Sequence, residues 1–142
     1  MHEKDTGELF SELREDEDIR GFLARNKGEF VRPLHEYLEE LLREKHLKKL
    51  EVIRVAGLER VYGYHIFAGS KPKPSRTKLL PIALAMGLNL EETQKLLRYA
   101  GESMLYPRNP WDSVIISAIG QGLSVKEANA LLSQLGETKF LG

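Results

Sequence analysis

The sequence predicts an all-α protein. Alternation of polar and β-branched residues, the pattern of a half-buried strand, is nearly absent from its 142 residues. Glycine or proline interrupts the chain every 10 to 20 residues, a spacing typical of short helices joined by turns. Between these breaks, apolar residues recur three and four positions apart, as they do on one face of a helix. We therefore expect helices along the whole chain.

Residues 1–28 predict an acidic helical arm. Asp5 and Glu8 have the spacing of a capping box at the start of a first helix. A second short helix is expected to end near Asn26 and Gly28. The apolar residues of the two helices are Leu9, Phe10, Leu13, Ile19, Phe22 and Leu23.

A middle domain is predicted over residues 29–101, and it begins with a strong amphipathic helix from Phe30 to Lys45. Pro33 suits the first turn of this helix, where a missing backbone N–H costs nothing. The apolar face of the helix consists of Leu34, Tyr37, Leu38, Leu41 and Leu42. Glutamates and arginines occupy the opposite side, which we interpret as solvated.

Two shorter helices follow, joined by a tight turn. The first runs from about Lys48 to Ala56 and ends at Gly57, and the second runs from about Arg60 to Ala68. We expect their core positions to be Leu50, Val52, Ile53, Leu58, Ile66 and Phe67.

An extended basic loop comes next, because a residue that precedes proline avoids helical angles, and Lys71-Pro72-Lys73-Pro74 contains two such residues. Ser75 is expected to cap a helix that continues to Met86. Pro81 should kink that helix or delay its start, because proline has no backbone N–H to donate.

A C-terminal helix pair is predicted over residues 102–142. Residues 87–97 and 122–132 resemble each other, and each contains a capping box, Asn89 with Glu92 and Ser124 with Glu127. A further apolar helix is expected over residues 112–120. Candidate dimer surfaces, and candidate sites for a protein partner, are the apolar residues Val114 to Ile119 and the end at Leu131, Leu132 and Leu135.

Composition restricts the classes of function. Hydrophobic residues make up 42% and charged residues 30%, as in folded domains, and there is no cysteine for disulfides, thiolate catalysis or Cys-based zinc sites. His2, His35, His46 and His65 do not have the spacing of a helical zinc motif, and no P-loop or nucleophile elbow is present. No apolar run reaches the roughly 20 residues of a membrane span. We expect a cytoplasmic protein without catalysis, cofactor, metal or membrane contact.

The net charge is zero because acidic segments and a basic segment offset each other. Residues 1–44 carry 13 acidic and 7 basic side chains, giving −6, whereas residues 45–80 carry 9 basic and 2 acidic side chains, giving +7. A local basic segment indicates an anionic partner such as nucleic acid. The alternative is a basic face that pairs internally with the acidic N-terminal region. A further hypothesis is that residues 1–44 fold over the basic segment and compete with DNA for it.

The segment from Leu47 to Leu88 resembles the lambda-repressor-like helix-turn-helix family, of the xenobiotic-response-element type. The resemblance rests on a helix, a Gly57-Leu58 turn, a second helix ending in Ile66-Phe67-Ala68-Gly69, a Pro74-Ser75 cap and the closing residues 85–88. It places a helix-turn-helix core at about 47–88. The whole chain also resembles a group of uncharacterised bacterial helix-turn-helix proteins, through residues 60–67 and 97–101, residues 105–108 and the helix pair that follows them.

The family resemblance implies a sequence-specific regulator, a homodimer bound to double-stranded DNA, with the helix around 60–68 in the major groove. The residues it implies as DNA contacts are Lys49, Arg60, Val61, Tyr64, His65, Lys71, Lys73, Arg76 and Lys78. Gly63 departs from the family, which usually has a β-branched core residue there, and we expect a neighbouring tyrosine to fill the space. The rival interpretation is an adaptor or antitoxin-like module that keeps the fold without binding DNA.

Overall fold

Helices account for the regular secondary structure of the protein wherever the structure describes it. The computed structural model describes residues 4–15, 18–71 and 73–142, and these ranges contain no strand. The all-α prediction is confirmed for them. His2, and Pro72 of the basic loop, lie outside the described residues.

Nine α-helices and one 3-10 turn, Lys27–Glu29, lie in the described ranges. In chain order, the α-helices are α1 Thr6–Glu15, α2 Ile19–Arg25, α3 Leu34–Glu44, α4 Lys49–Ala56, α5 Arg60–Ala68, α6 Arg76–Ala85, α7 Leu90–Tyr99, α8 Pro110–Gln121 and α9 Val125–Gln134. None of these helices is both long enough and apolar enough to cross a membrane.

The chain divides into two compact units, residues 1–31 and 32–142. The first unit contains α1 and α2, and the Asp5 carboxylate caps α1 by accepting the Glu8 N–H at 2.8 Å. α1 buries none of its residues. The Lys4 ammonium lies 2.8 Å from a Glu12 carboxylate oxygen and 2.7 Å from Asn26 Oδ1, so polar contacts contribute to this small unit.

The second unit is built around the apolar face of α3, whose five predicted core residues are all buried. The helix begins at Leu34, four residues after the predicted start at Phe30. Pro33 has an extended conformation (φ −56°, ψ 132°) and is the N-cap. Because proline also disfavours helical angles at the residue before it, Arg32, a helix cannot start earlier and run through this position.

The turn between α4 and α5 follows the prediction closely. Gly57 has a left-handed conformation (φ 73°) that ends α4, and the Leu58 N–H donates to the Ile53 carbonyl at 3.3 Å. Five of the six predicted core residues of this segment are buried, and Leu50, at 47% exposure, is the exception. The prediction for Leu50 is wrong because Val52, Ile53 and Ala56 form the buried face of α4. Leu50 lies roughly a third of a turn from the centre of that face.

Gly63 lets α4 and α5 approach each other closely. A Cβ atom built on Gly63 would lie 2.5 Å from Ile53 Cγ2, which is closer than any real packing contact. Ile53 of α4 therefore fills the space, and the expectation that a tyrosine fills it is wrong. Tyr62 is half-buried and Tyr64 is exposed.

The similarity between residues 87–97 and 122–132 is confirmed as a turn that occurs twice. The turns between α6 and α7 and between α8 and α9 each consist of a left-handed glycine, a leucine and an N-cap, and both predicted capping boxes are present. Leu88 N–H donates to Ala83 and Leu123 N–H to Ala118, each at 3.0 Å. The α4–α5 turn has the same order of glycine, leucine and cap.

α6 starts where predicted, and Pro81 lies inside it without delaying its start. Ser75 is the N-cap, but its hydroxyl makes no capping bond and lies 3.1 Å from Thr77 Oγ1. Ile115, Ala118 and Ile119 of α8 and Leu132 of α9 are buried in the core of the second unit.

Candidate nucleic-acid interface

One side of α5 faces solvent along its whole length. Gly63, Ile66 and Phe67 form the buried side. The exposed side, called here the α5 face, consists of Arg60, Val61, Tyr64, His65 and Ala68. The four α5 residues predicted to contact DNA therefore lie on one exposed surface.

Glu59 caps the start of the α5 face. Its two carboxylate oxygens accept hydrogen bonds from the Tyr62 N–H at 2.8 Å and from the Val61 N–H at 3.2 Å. These two donors, Tyr62 foremost, lower the pKa of Glu59 below its usual value because they stabilise the charged carboxylate. The start of α5 thus already holds a negative charge. Glu59 is not evident as a cap from the sequence, because the preferred N-cap residues are Ser, Thr, Asp, Asn and Gly.

Lys49, at the start of α4, is paired within the fold. Its ammonium lies 2.8 Å from a Glu39 carboxylate oxygen of α3 and 5.9 Å from the centre of the Phe67 ring. Its side chain is 35% exposed and that of Glu39 is 39% exposed, so the pair remains accessible to solvent. The sequence indicates a solvated Glu39 and does not reveal that it pairs with Lys49.

The basic loop after α5 and the first turn of α6 carry three lysines, called here the lysine cluster: Lys71, Lys73 and Lys78. The ammonium groups of Lys71 and Lys78 lie 5.8 Å and 5.7 Å from the centre of the Tyr62 ring. Lys71 and Lys73 are exposed and Lys78 is half-buried. Tyr62 of α5 thus connects the helix to the basic loop and to α6 by cation–π contacts.

Arg76 has a different environment from the lysine cluster. Its guanidinium lies 2.9 Å from Asp112 Oδ2 of α8 and 5.8 Å from the centre of the Trp111 ring. The side chain is 17% exposed and that of Asp112 only 6% exposed. A phosphate contact by Arg76 stays a prediction, and it requires this ion pair to open.

Arg54 of α4 and Arg60 of α5 differ in whether a carboxylate binds the guanidinium group. Arg54 of α4 is bound to Glu51, and this pairing raises the pKa of Arg54 and lowers that of Glu51. Arg60 has no ion pair or hydrogen bond from its side chain to any residue that the structure describes. Within those residues, no cluster of histidine, aspartate or glutamate could hold a metal ion. The unpaired guanidinium is therefore displayed to solvent at the start of the α5 face.

No protein-family model matches the sequence, and no curated protein and no solved structure matches it significantly. The function is therefore inferred from the α5 face, the lysine cluster and their internal partners alone.

Proposed function

We propose that the protein is a sequence-specific DNA-binding regulator of the lambda-repressor-like type, which inserts α5 into the major groove. The observation that carries the proposal is the α5 face. It is exposed, and it is polar and long-chained at Arg60, Tyr64 and His65. Two lysines of the lysine cluster, Lys71 and Lys78, lie near Tyr62 of the same helix. A single α-helix fits the B-DNA major groove, which is about 12 Å wide.

Each group in this arrangement has a distinct role. Arg60, unpaired within the fold, reads a guanine through two hydrogen bonds. Val61, 57% exposed, contacts a thymine methyl group. Lys71, Lys73 and Lys78 contact phosphates, which gives affinity and salt dependence but no sequence preference.

The proposal includes a homodimer that reads two half-sites about 34–36 Å apart. Of the two candidate dimer surfaces, the α8 residues Ile115 and Ala118 are fully buried within one chain. At the end of α9, Leu132 is buried as well, whereas Leu135 is 61% exposed. Val114, Ile116 and Leu131 are half-buried. Leu135 is therefore the most exposed apolar residue of the two candidate surfaces and is available to a second copy or to a protein partner.

The test is selection of the full-length protein on random duplex DNA, followed by titration of the enriched duplex over a range of salt concentrations. We expect an enriched motif and an affinity that falls steeply as salt rises, because each neutralised phosphate releases a counterion. Binding that is absent, or that selects no motif, contradicts the proposal.

The rival function is a protein-interaction module that keeps this helical arrangement without binding DNA. The observation in its favour is the mixture of groups near α5. Glu59 places a carboxylate at the start of the helix, Lys49 is neutralised by Glu39, and Leu50 and Val55 of α4 are 47% and 46% exposed. The same selection separates the two functions, because a protein-binding module enriches no DNA motif.

A further inference from the structure

The start of α6 is attached to the C-terminal helices through a buried ion pair. Arg76 is the first residue of α6 and Asp112 lies in the first turn of α8. Asp112 Oδ2 accepts a hydrogen bond from the Arg76 guanidinium at 2.9 Å and another from the Tyr106 N–H at 2.9 Å. One carboxylate oxygen therefore binds both α6 and the connector that precedes α8.

Trp111 closes the same site on one side. Its ring lies 5.8 Å from the Arg76 guanidinium, and its indole N–H donates to the Lys139 carbonyl at 3.0 Å. The Lys139 ammonium is 5.0 Å from the centre of the ring. The guanidinium is thus surrounded by residues from the C-terminal part of the second unit, and we call Arg76, Trp111 and Asp112 the α6 anchor.

The ion pair is incompletely bonded. Arg76 Nε and Asp112 Oδ1 are buried, and neither has a hydrogen-bond partner among the described residues. A buried pair whose polar atoms are only partly satisfied contributes little to net stability, because desolvation offsets the attraction between the charges. Its physical effect is geometric, since it fixes one residue of α6 against one residue of α8.

The anchored residue adjoins the residues of the lysine cluster. Lys73 lies three positions before Arg76 and Lys78 two positions after it. The N–H groups of Lys78 and Leu79 donate to the Ser75 carbonyl at 3.0 Å each, so Lys78 belongs to the same hydrogen-bonded turn as Arg76. Whatever holds Arg76 in place therefore also holds the backbone that carries Lys78. Lys71 is attached separately, because its N–H donates to the His65 carbonyl of α5 at 3.1 Å.

We propose that Asp112 is a positioning residue for DNA binding, which acts through Arg76 to hold Lys78 of the lysine cluster in register with the α5 face. The charge of Arg76 is then neutralised by Asp112, and Arg76 makes no phosphate contact. This inference rests on the proposed DNA-binding function. It assigns the C-terminal helices a part in that function although they carry none of the contacts.

The first test measures binding to the selected duplex across a salt series. Asp112→Asn adds one positive unit to the protein, yet we expect it to weaken binding about tenfold, because the loosened α6 start misplaces Lys78. We expect the double variant Arg76→Gln/Asp112→Asn, which leaves no unpaired charge buried, to bind more tightly than Asp112→Asn and to keep the wild-type salt slope. Lys71→Gln is the matched control, and its slope should fall by ~0.9.

The second test needs no DNA. Hydrogen exchange at the amides of Lys78 and Leu79 should be about tenfold faster in Asp112→Asn than in the wild type, while the amides of α3 remain unchanged. Emission of Trp111, the chain's one tryptophan, should shift in Asp112→Asn and stay the same in Lys71→Gln. These readouts separate a loosened anchor from general unfolding.

The possible outcomes are distinct. A wild type that selects no duplex overturns the proposed function and this inference with it. If the wild type binds DNA and Asp112→Asn binds equally or more tightly, the inference alone is overturned. It is also overturned if the salt slope of the double variant falls by ~0.9, because Arg76 would then be a direct phosphate contact.

Discussion

The backbone N–H of Gly142 donates a hydrogen bond to the carbonyl oxygen of Thr77, at 2.9 Å. In a regular helix this carbonyl would accept from the residue four positions later, which in α6 is Pro81 and has no N–H. Gly142 therefore supplies the donor that the proline lacks. This bond is a second attachment between the first turn of α6 and the C-terminal part of the chain.

Pro81→Ala should release this contact. The new alanine N–H competes for the Thr77 carbonyl, so we expect the Gly142 amide to exchange with solvent about tenfold faster or more. Hydrogen exchange followed by NMR measures it. Pro110→Ala is the control, because Pro110 is the first residue of α8, where a missing N–H leaves no helical carbonyl without its donor. Equal Gly142 exchange in the wild type and Pro81→Ala would show that the proline does not create this bond.

Gly63→Ala should destabilise the second unit by about 1–3 kcal/mol, because the added methyl group overlaps Ile53. Gly120→Ala in α8 is the matched control: nothing lies within 4 Å of its added Cβ, and we expect a gain of about 0.5–1 kcal/mol from helix propensity. Urea unfolding followed by circular dichroism measures both. Adding Ile53→Ala to Gly63→Ala should relieve the overlap, and two glycine variants of equal stability would contradict the close approach of α4 and α5.

Glu59 should make stability depend on pH in the acid range. Its pKa in the folded protein lies below the ordinary value of 4.5, so its stabilising effect is present above about pH 4.5 and is lost as the pH falls through the lowered pKa. We expect Glu59→Gln to be less stable than the wild type at neutral pH, with a difference that shrinks in acid. Urea unfolding at a series of pH values measures this difference. A difference that is constant with pH would exclude the charged cap as its cause.

Arg60→Ala should remove preference at one base pair of the selected motif, by about 1–3 kcal/mol, because Arg60 is proposed to read a guanine edge. Arg54→Ala is the control, since Arg54 is equally long but is bound to Glu51 on α4. Competition binding against duplexes with single base changes measures the preference. If the two variants lose the same affinity for every duplex, Arg60 contributes charge alone.

Glu39→Gln should tighten DNA binding. Lys49 then loses its partner at 2.8 Å and becomes available to phosphate, which should steepen the salt dependence by ~0.9 in slope. Glu40→Gln is the control, because Glu40 neighbours Glu39 on α3 but pairs with Arg32. The loss of the exposed Glu39–Lys49 pair should change the free energy of unfolding by less than about 1 kcal/mol. An unchanged salt slope would place Lys49 outside the interface.

The helices and the α5 face could be predicted from the sequence because their signals are local. A glycine after an apolar run and a capping residue before one determine where a helix ends and begins, as at Gly57 and Asn89. The family resemblance implies Arg60, Val61, Tyr64 and His65 as contacts, and their spacing in the sequence is that of one side of a helix. Leu50 shows the limit, because a helix as short as α4 has two apolar faces and packing decides which is buried.

The partners of the candidate contacts could not be predicted, because they come from distant parts of the chain. Asp112 lies 36 positions after Arg76, and no local pattern connects them. Glu39 of α3 contacts Lys49 of α4 through tertiary packing. Helical periodicity does not specify that packing. Basic residues that look alike in the sequence therefore separate in the structure into those held by a carboxylate and those left to solvent.

The turn that joins α8 to α9 is built like the one that joins α4 to α5, with a glycine, a leucine and a cap in the same order. The outward side of α9 nevertheless bears only one lysine and one glutamate, Lys126 and Glu127, beside the uncharged residues Ala130, Ser133 and Gln134. The chain thus contains a second hairpin of this kind, whose exposed helix face carries no net charge. Glu127 belongs to the capping box of α9, so the other four are the positions at which protein engineers could introduce a new surface.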